Sequence, residues 1–175
     1  TGAKRLIGRS YRTAPKWSVN GKWAVMYDPI AQVWNKFDGA TGKVVNISDA
    51  IGYPMFMESY DKPAPAPAYG IAGWTADGNN VFLYDAYDWW KIDLTGERQP
   101  ECLTKGYGRK HGKSIRKMTS NIDKDVFQKD EKVIVSLWDK DTMDEGVYQL
   151  DMKGRLRKLM EGNYVYTIHR FSDNH

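Results

Sequence analysis

The stretch that decides the fold is Tyr69 to Gly96, YGIAGWTADGNNVFLYDAYDWWKIDLTG. Asp77-Gly78 is a tight-turn signal, because glycine adopts positive φ without a Cβ penalty. Val81-Phe82-Leu83-Tyr84 follows as a fully apolar run of strand length. Asp88-Trp89-Trp90-Lys91-Ile92 reads as the next strand, and Asp93-Leu94-Thr95-Gly96 as the turn that ends it. Arg98 to Thr104 is expected to close the unit as an edge strand interrupted by Pro100.

Weaker copies of this unit lie on both sides. Upstream, Asn20-Gly21 is the turn and Trp23–Tyr27 the apolar strand. Gln32–Phe37 alternates polar and apolar, Asp38–Gly42 turns, and Lys43–Ser48 closes. Downstream, a polar turn at Gln128–Lys132 precedes Val133–Trp138. Then come Gly146–Leu150, the turn Asp151–Gly154, and Arg155–Met160. Tyr164–Arg170 reads as the start of another strand. Gly21 and Gly78 are 57 positions apart, and the second-turn glycines Gly42, Gly96 and Gly154 are separated by 54 and 58.

A turn–strand–turn–strand unit repeating at such a period is the pattern of a β-propeller blade lengthened by loop insertions. The expected fold is all-β, a partial β-propeller of about three four-stranded antiparallel blades. The blade-like units fall at about residues 17–48, 69–104 and 125–160, within a single propeller fragment spanning 1–175. A β-sandwich, or an oligomer whose copies complete one another, is the alternative. Rings usually hold about four to eight blades. Three are therefore expected to be a piece of a larger protein, and open blade edges would invite self-association.

Two segments fall outside the repeat. Residues 58–68 carry alternating proline and alanine, Pro63-Ala64-Pro65-Ala66-Pro67-Ala68, which stiffens the chain into an extended path. No PxxP exists there, so a rigid connecting loop is expected. Residues 105–117 are basic, with Lys105, Arg109, Lys110, His111, Lys113, Arg116 and Lys117 interleaved with Gly106, Gly108 and Gly112. The expectation is a solvated loop and not a nucleic-acid surface, since Tyr107 is its only aromatic.

The chain has 175 residues, 41% of them hydrophobic and 13% aromatic, enough for a real core and against disorder. Its net charge of +4 comes from 26 basic and 22 acidic residues, interspersed and not segregated. No apolar run is long enough for a membrane helix, and the start lacks the apolar core of a signal peptide.

No catalytic, cofactor-binding or metal-binding residue is assigned from the sequence, and no cofactor is expected. Gly8-Arg9-Ser10-Tyr11 half-matches a nucleophile elbow, but Arg12 stands where the last glycine should be. Asn46-Ile47-Ser48 fits a glycosylation acceptor inside an expected strand. Asp139–Gly146 invites a calcium-loop reading, yet Met143 and Asp144 occupy positions that need a ligand and a glycine, so a charged hairpin tip is expected. Cys102, the lone cysteine, is expected buried and inert in a strand. His111 and His169 lie far apart without evident metal partners.

Glu58-Ser59-Tyr60-Asp61 with the proline run, then Tyr69–Thr75 and Tyr84-Asp85-Ala86-Tyr87-Asp88-Trp89-Trp90, resembles the propeller of prolyl oligopeptidase and dipeptidyl peptidase IV-type serine peptidases. The similarity is to the long, Bacteroidetes-like secreted or periplasmic forms. It spans about residues 17–174 and is most specific at 58–96. The resemblance implies a propeller that gates peptide access to a separate α/β-hydrolase domain carrying a Ser-Asp-His triad. The implied partners are that hydrolase domain of the same parent chain and peptide substrates, and the implied location is periplasmic or secreted. None of the triad residues carries over to this chain. Nor does the paired-glutamate site of dipeptidyl peptidases, since Glu58 is followed by Ser59. A stand-alone propeller-like module binding protein or glycan is the alternative function.

Overall fold

Each apolar run of the repeat becomes an inner strand, and each Asp-led turn reverses the chain. The computed structural model describes residues 14–118, 125–162 and 166. The first sheet runs in chain order through β1 (Lys16–Trp17), β2 (Trp23–Asp28), β3 (Val33–Asp38) and β4 (Val44–Asn46), all antiparallel. The second has β5 (Ile71–Thr75), β6 (Asn80–Tyr84), β7 (Trp89–Asp93) and β8 (Glu101–Cys102) in the same order. The third is built from β9 (Lys113–Lys117), β11 (Lys132–Asp139), β12 (Glu145–Asp151) and β13 (Leu156–Gly162). A two-residue strand, β10 (Val126–Phe127), pairs parallel with β5 and gives the second sheet a fifth member. One short helix, α1 (Tyr107–Lys110), precedes β9.

The turns explain why aspartate recurs at strand ends. Asp38 Oδ1 accepts hydrogen bonds from the amides of Ala40 and Thr41. Asp93 does the same for Thr95, Glu97 and Arg98, Asp139 for Asp141 and Thr142, and Asp151 for Lys153 and Arg155. A carboxylate that satisfies two or three turn amides makes the reversal local, which is why the motif survives in three unlike blades. Met143, at φ 63, takes the left-handed position that glycine holds in most of the other turns.

The sheets stack face to face through the middle one. Val25, Tyr27 and Trp34 of the first sheet pack on Trp74, Val81, Leu83, Trp90 and Ile92 of the second. The opposite face of the second sheet, Ala72, Phe82, Tyr84 and Trp89, packs with Phe127 on Ile115, Val133, Val135, Leu137, Tyr148 and Leu150. Because both faces are covered, β6 is apolar at every position from Val81 to Tyr84, where a half-exposed strand would alternate. The chain is all-β: three meandering antiparallel blades, stacked in sequence order, as a partial β-propeller.

The third blade departs from the expected boundaries. Residues 105–117, expected as a solvated loop, hold α1 and the first strand of that blade. Val126-Phe127, expected to open the third unit, lies instead on the second sheet. The physical reason is that β9 has one fully buried apolar side chain, Ile115, set among cations that lay their stems along the protein. Gly73 makes room for β10: a Cβ there would stand 2.5 Å from the Phe127 ring and 2.7 Å from the Asp125 carbonyl oxygen. The expected closing strand of the second unit shrinks to Glu101-Cys102, after Pro100. The proline-rich loop leaves and returns at a bridge between Phe56 and Ala68, and the Tyr27 hydroxyl donates to the Ala66 carbonyl at 3.1 Å. The strand expected at Tyr164–Arg170 lies outside the described residues apart from Tyr166.

Candidate functional site

The densest polar chemistry lies in the turn between β6 and β7, Asp85-Ala86-Tyr87-Asp88. Both carboxylates are buried, Asp85 at 0% and Asp88 at 1% exposure. Burying a carboxylate is costly unless its lone pairs are taken up, and here each is surrounded by donors. Asp85 Oδ1 accepts from the amides of Tyr87 (2.7 Å) and Asp88 (2.6 Å), closing its own turn. Its Oδ2 accepts from the Trp90 indole (3.0 Å) and the Arg109 guanidinium (3.0 Å). Asp88 Oδ1 accepts from the Thr104 hydroxyl (2.6 Å) and the Gly108 amide (2.9 Å), and Oδ2 from the Arg109 amide (3.0 Å).

Two arginines from the basic segment complete the cluster. The Arg109 guanidinium sits 3.9 Å from the centre of the Tyr53 ring and 5.0 Å from that of Tyr87. Among the described residues no carboxylate is in contact with Arg116. It donates to the carbonyls of Asp85 (2.7 Å), Ala86 (3.2 Å) and Ile115 (2.8 Å), with the Tyr84 and Tyr69 rings at 4.7 and 5.3 Å. Burial lowers its pKa, and carbonyl dipoles and ring faces stand in for a counter-ion. The Tyr84 hydroxyl, pushed up to about 12 chiefly by burial, accepts from the Lys117 amide.

The same turn binds β9 directly. The Ile115 amide donates to the Tyr87 carbonyl at 2.8 Å, the Ser114 hydroxyl to that of Ala86, and the Trp89 indole to that of Ile115. The cluster therefore clamps the second blade to the third. Asp85 accepts four protein hydrogen bonds and Asp88 three, so both carboxylates are committed to holding this junction.

Asp85 forms the turn, and Asp88, expected to open the next strand, lies in that turn just before β7. The reach of Asp88 to α1, and the parts played by Arg109 and Arg116, were not read from the sequence. The sequence signal was present but ambiguous: two acids in one turn followed by two arginines 24 and 31 residues after Asp85, in a stretch whose glycines suggested a loop.

Other positions resolve more simply. Asp139 spends its Oδ1 on turn amides, so the Asp139–Gly146 segment is a hairpin tip. Cys102 is half-buried on β8. Burial pushes its thiol up, against the Gly106 amide that donates to Sγ at 3.2 Å. His111 stacks on Tyr107 with ring centres 4.4 Å apart. Among the described residues no group of three His, Cys, Asp or Glu is placed to hold a metal ion, and no helix is long and apolar enough to cross a membrane. Ser10 and His169 lie outside the described residues.

No family model matches the chain, and no curated protein does. Among solved structures it is similar to a calcium-binding protein, regucalcin, from Agrobacterium tumefaciens strain C58. That likeness has a TM-score of 0.39 and 10% sequence identity, over 91% of this chain and 47% of the other. The chain thus spans about half the length of that structure.

Proposed function

We propose that this chain is a non-catalytic propeller segment of a secreted or periplasmic serine exopeptidase or oligopeptidase. In this reading it gates peptide access to a separate α/β-hydrolase domain of the same parent protein. The observation that carries the proposal is the coincidence of resemblance and rigidity. Tyr69–Thr75 and Tyr84–Trp90, the residues most similar to the peptidase propellers, lie in the central blade, and their turn is tied to the next blade by one ion pair, Asp85–Arg109, and a set of hydrogen bonds. A gate must hold its shape while peptides pass, and a clamp between blades supplies that stiffness.

The test is covalent labelling with a fluorophosphonate. The parent protein is expected to be labelled on a single serine outside these 175 residues, and the isolated chain not at all. Labelling within this chain, or a parent reading frame without a hydrolase domain, would overturn the proposal. A parent frame of that second kind would favour the stand-alone binding module.

A further inference from the structure

Four side chains from four separate segments meet at one end of the second blade. Arg109 comes from α1, Tyr87 from the β6–β7 turn, Tyr53 from the loop before β5 and Lys140 from the β11–β12 tip. The Arg109 guanidinium lies 3.9 Å from the centre of the Tyr53 ring and 5.0 Å from that of Tyr87. Lys140 Nζ lies 4.7 Å from the centre of the same Tyr87 ring, so one phenol ring carries both cations. The group is held from beneath. Tyr53 packs on Trp90 with ring centres 6.0 Å apart, and Asp85 Oδ2 accepts from both the Trp90 indole and Arg109 Nη2.

The bond to Asp85 leaves most of the guanidinium unused. Its side chain is 30% exposed, and Nη2 is the only one of its side-chain nitrogens that donates to a described residue. The N–H groups of Nη2 lie on different edges of the planar fork. Whichever edge Asp85 occupies, the other keeps a pair of donors without an acceptor among the described residues. Lys140 is exposed and makes no ion pair or hydrogen bond there, and the hydroxyls of Tyr53 and Tyr87 are equally unengaged. A rigid fork with an open edge matches the geometry of a carboxylate. Lys140 shares its tip with Asp139, Asp141 and Asp144, and these acids disfavour a guest with a second negative charge.

We propose that Arg109, Lys140, Tyr53 and Tyr87 form a binding site for a singly charged carboxylate of a peptide, either its C-terminus or an acidic side chain. The open edge of the Arg109 fork takes the two oxygens, Lys140 adds charge from the third blade, and the phenol rings fix the plane in which the carboxylate lies. Asp85 thus anchors the fork and is a positioning residue for the site. The site is independent of the peptidase reading, because it requires only the junction of the blades and not a hydrolase domain.

The test titrates the ¹⁵N-labelled full chain and follows the Arg109 Nε resonance and the amides of Tyr53 and Tyr87. The probes are N-acetyl-L-alanyl-L-alanine, its uncharged C-terminal amide, N-acetyl-L-aspartate α-methylamide and inorganic phosphate. A saturable shift with either carboxylate probe, and none with the amide, is expected, and the tighter of the two identifies the terminal or side-chain source. Arg109→Lys keeps a cation beside Asp85 but loses the fork, and should weaken binding about tenfold, as for one charge-assisted hydrogen bond. Lys140→Glu, at an exposed position outside the clamp, should weaken it about threefold with the near-ultraviolet circular dichroism of the parent. If Arg109→Lys fails to fold, Lys140→Glu decides alone. Absence of a saturable carboxylate shift, an equal shift with the amide, tighter binding of phosphate than of both carboxylates, or parental affinity in Lys140→Glu or in a folded Arg109→Lys would each overturn the proposal.

Discussion

Asp88 shows what a single residue contributes here. It is buried at 1% exposure, and its oxygens take a hydroxyl from Thr104 and two amides from Gly108 and Arg109. Replacing it with alanine strands two buried donors and a part-buried one at once. Since each unsatisfied buried group costs roughly 1–3 kcal/mol, Asp88→Ala should destabilise the chain by about 3–5 kcal/mol. Urea unfolding followed by tryptophan fluorescence measures it, and a loss below about 1 kcal/mol would contradict the clamp. The turn aspartates behave differently because they are only partly buried. The Thr41 amide, with that of Ala40, holds the Asp38 carboxyl below its ordinary 3.8, and the amides of Asp141 and Thr142 do so for Asp139. Glu161, hydrogen-bonded by Lys113 and Lys158, is lowered from 4.5 to about 2. In each case the folded value lies below the unfolded one. The stabilisation is therefore complete above the unfolded value and is lost as the pH falls through the folded one. For Glu161 that window runs from 4.5 down to about 2. Carboxyl ¹³C titration should find these groups ionised below pH 3.8, and ordinary midpoints would remove the assigned hydrogen bonds.

The elements divide by how locally they are specified. β2, β3, β6, β7, β11 and β12 were legible because each is an apolar or alternating run between turn residues, and those turns satisfy their own amides. β9 was not legible. Of its residues only Ser114 and Ile115 are buried, and the cations beside them look like a solvated loop until the β6–β7 turn lies over Arg116. β10 was illegible for another reason: its parallel pairing with β5 joins residues some fifty positions apart and leaves no periodic trace. The candidate clamp shares this limit. Two aspartates in one turn announce a turn, but their distant partners come from Thr104 and from Gly108 and Arg109 of α1, 16 to 24 positions on. Ile115 is the element-scale test. It is fully buried against Trp89 and its neighbours, so Ile115→Ala should cost about 2–5 kcal/mol by differential scanning or chemical unfolding. A solvated loop residue would cost almost nothing.

At the scale of the molecule, the middle blade is the most enclosed part, with one apolar interface on each face. The outer blades each bury one broad face and leave large hydrophobics open, among them Trp17, Val44 and Val45 on the first and Leu159 and Met160 on the third. The proposal of a propeller segment within a larger peptidase would give these residues neighbours. Stability should follow the same gradient, since local opening is easiest where fewest apolar contacts are broken. Native-state hydrogen exchange is the most direct measurement of this arrangement. The account predicts that the amides of β6, together with Ile115 of β9 bonded to Tyr87, exchange only through the largest opening of the chain, while β4 and the Asp139–Gly146 tip exchange far faster. Rapid exchange across Lys113–Lys117, at the rate of a solvated loop, would contradict the three-blade stack and the clamp that joins its second and third members.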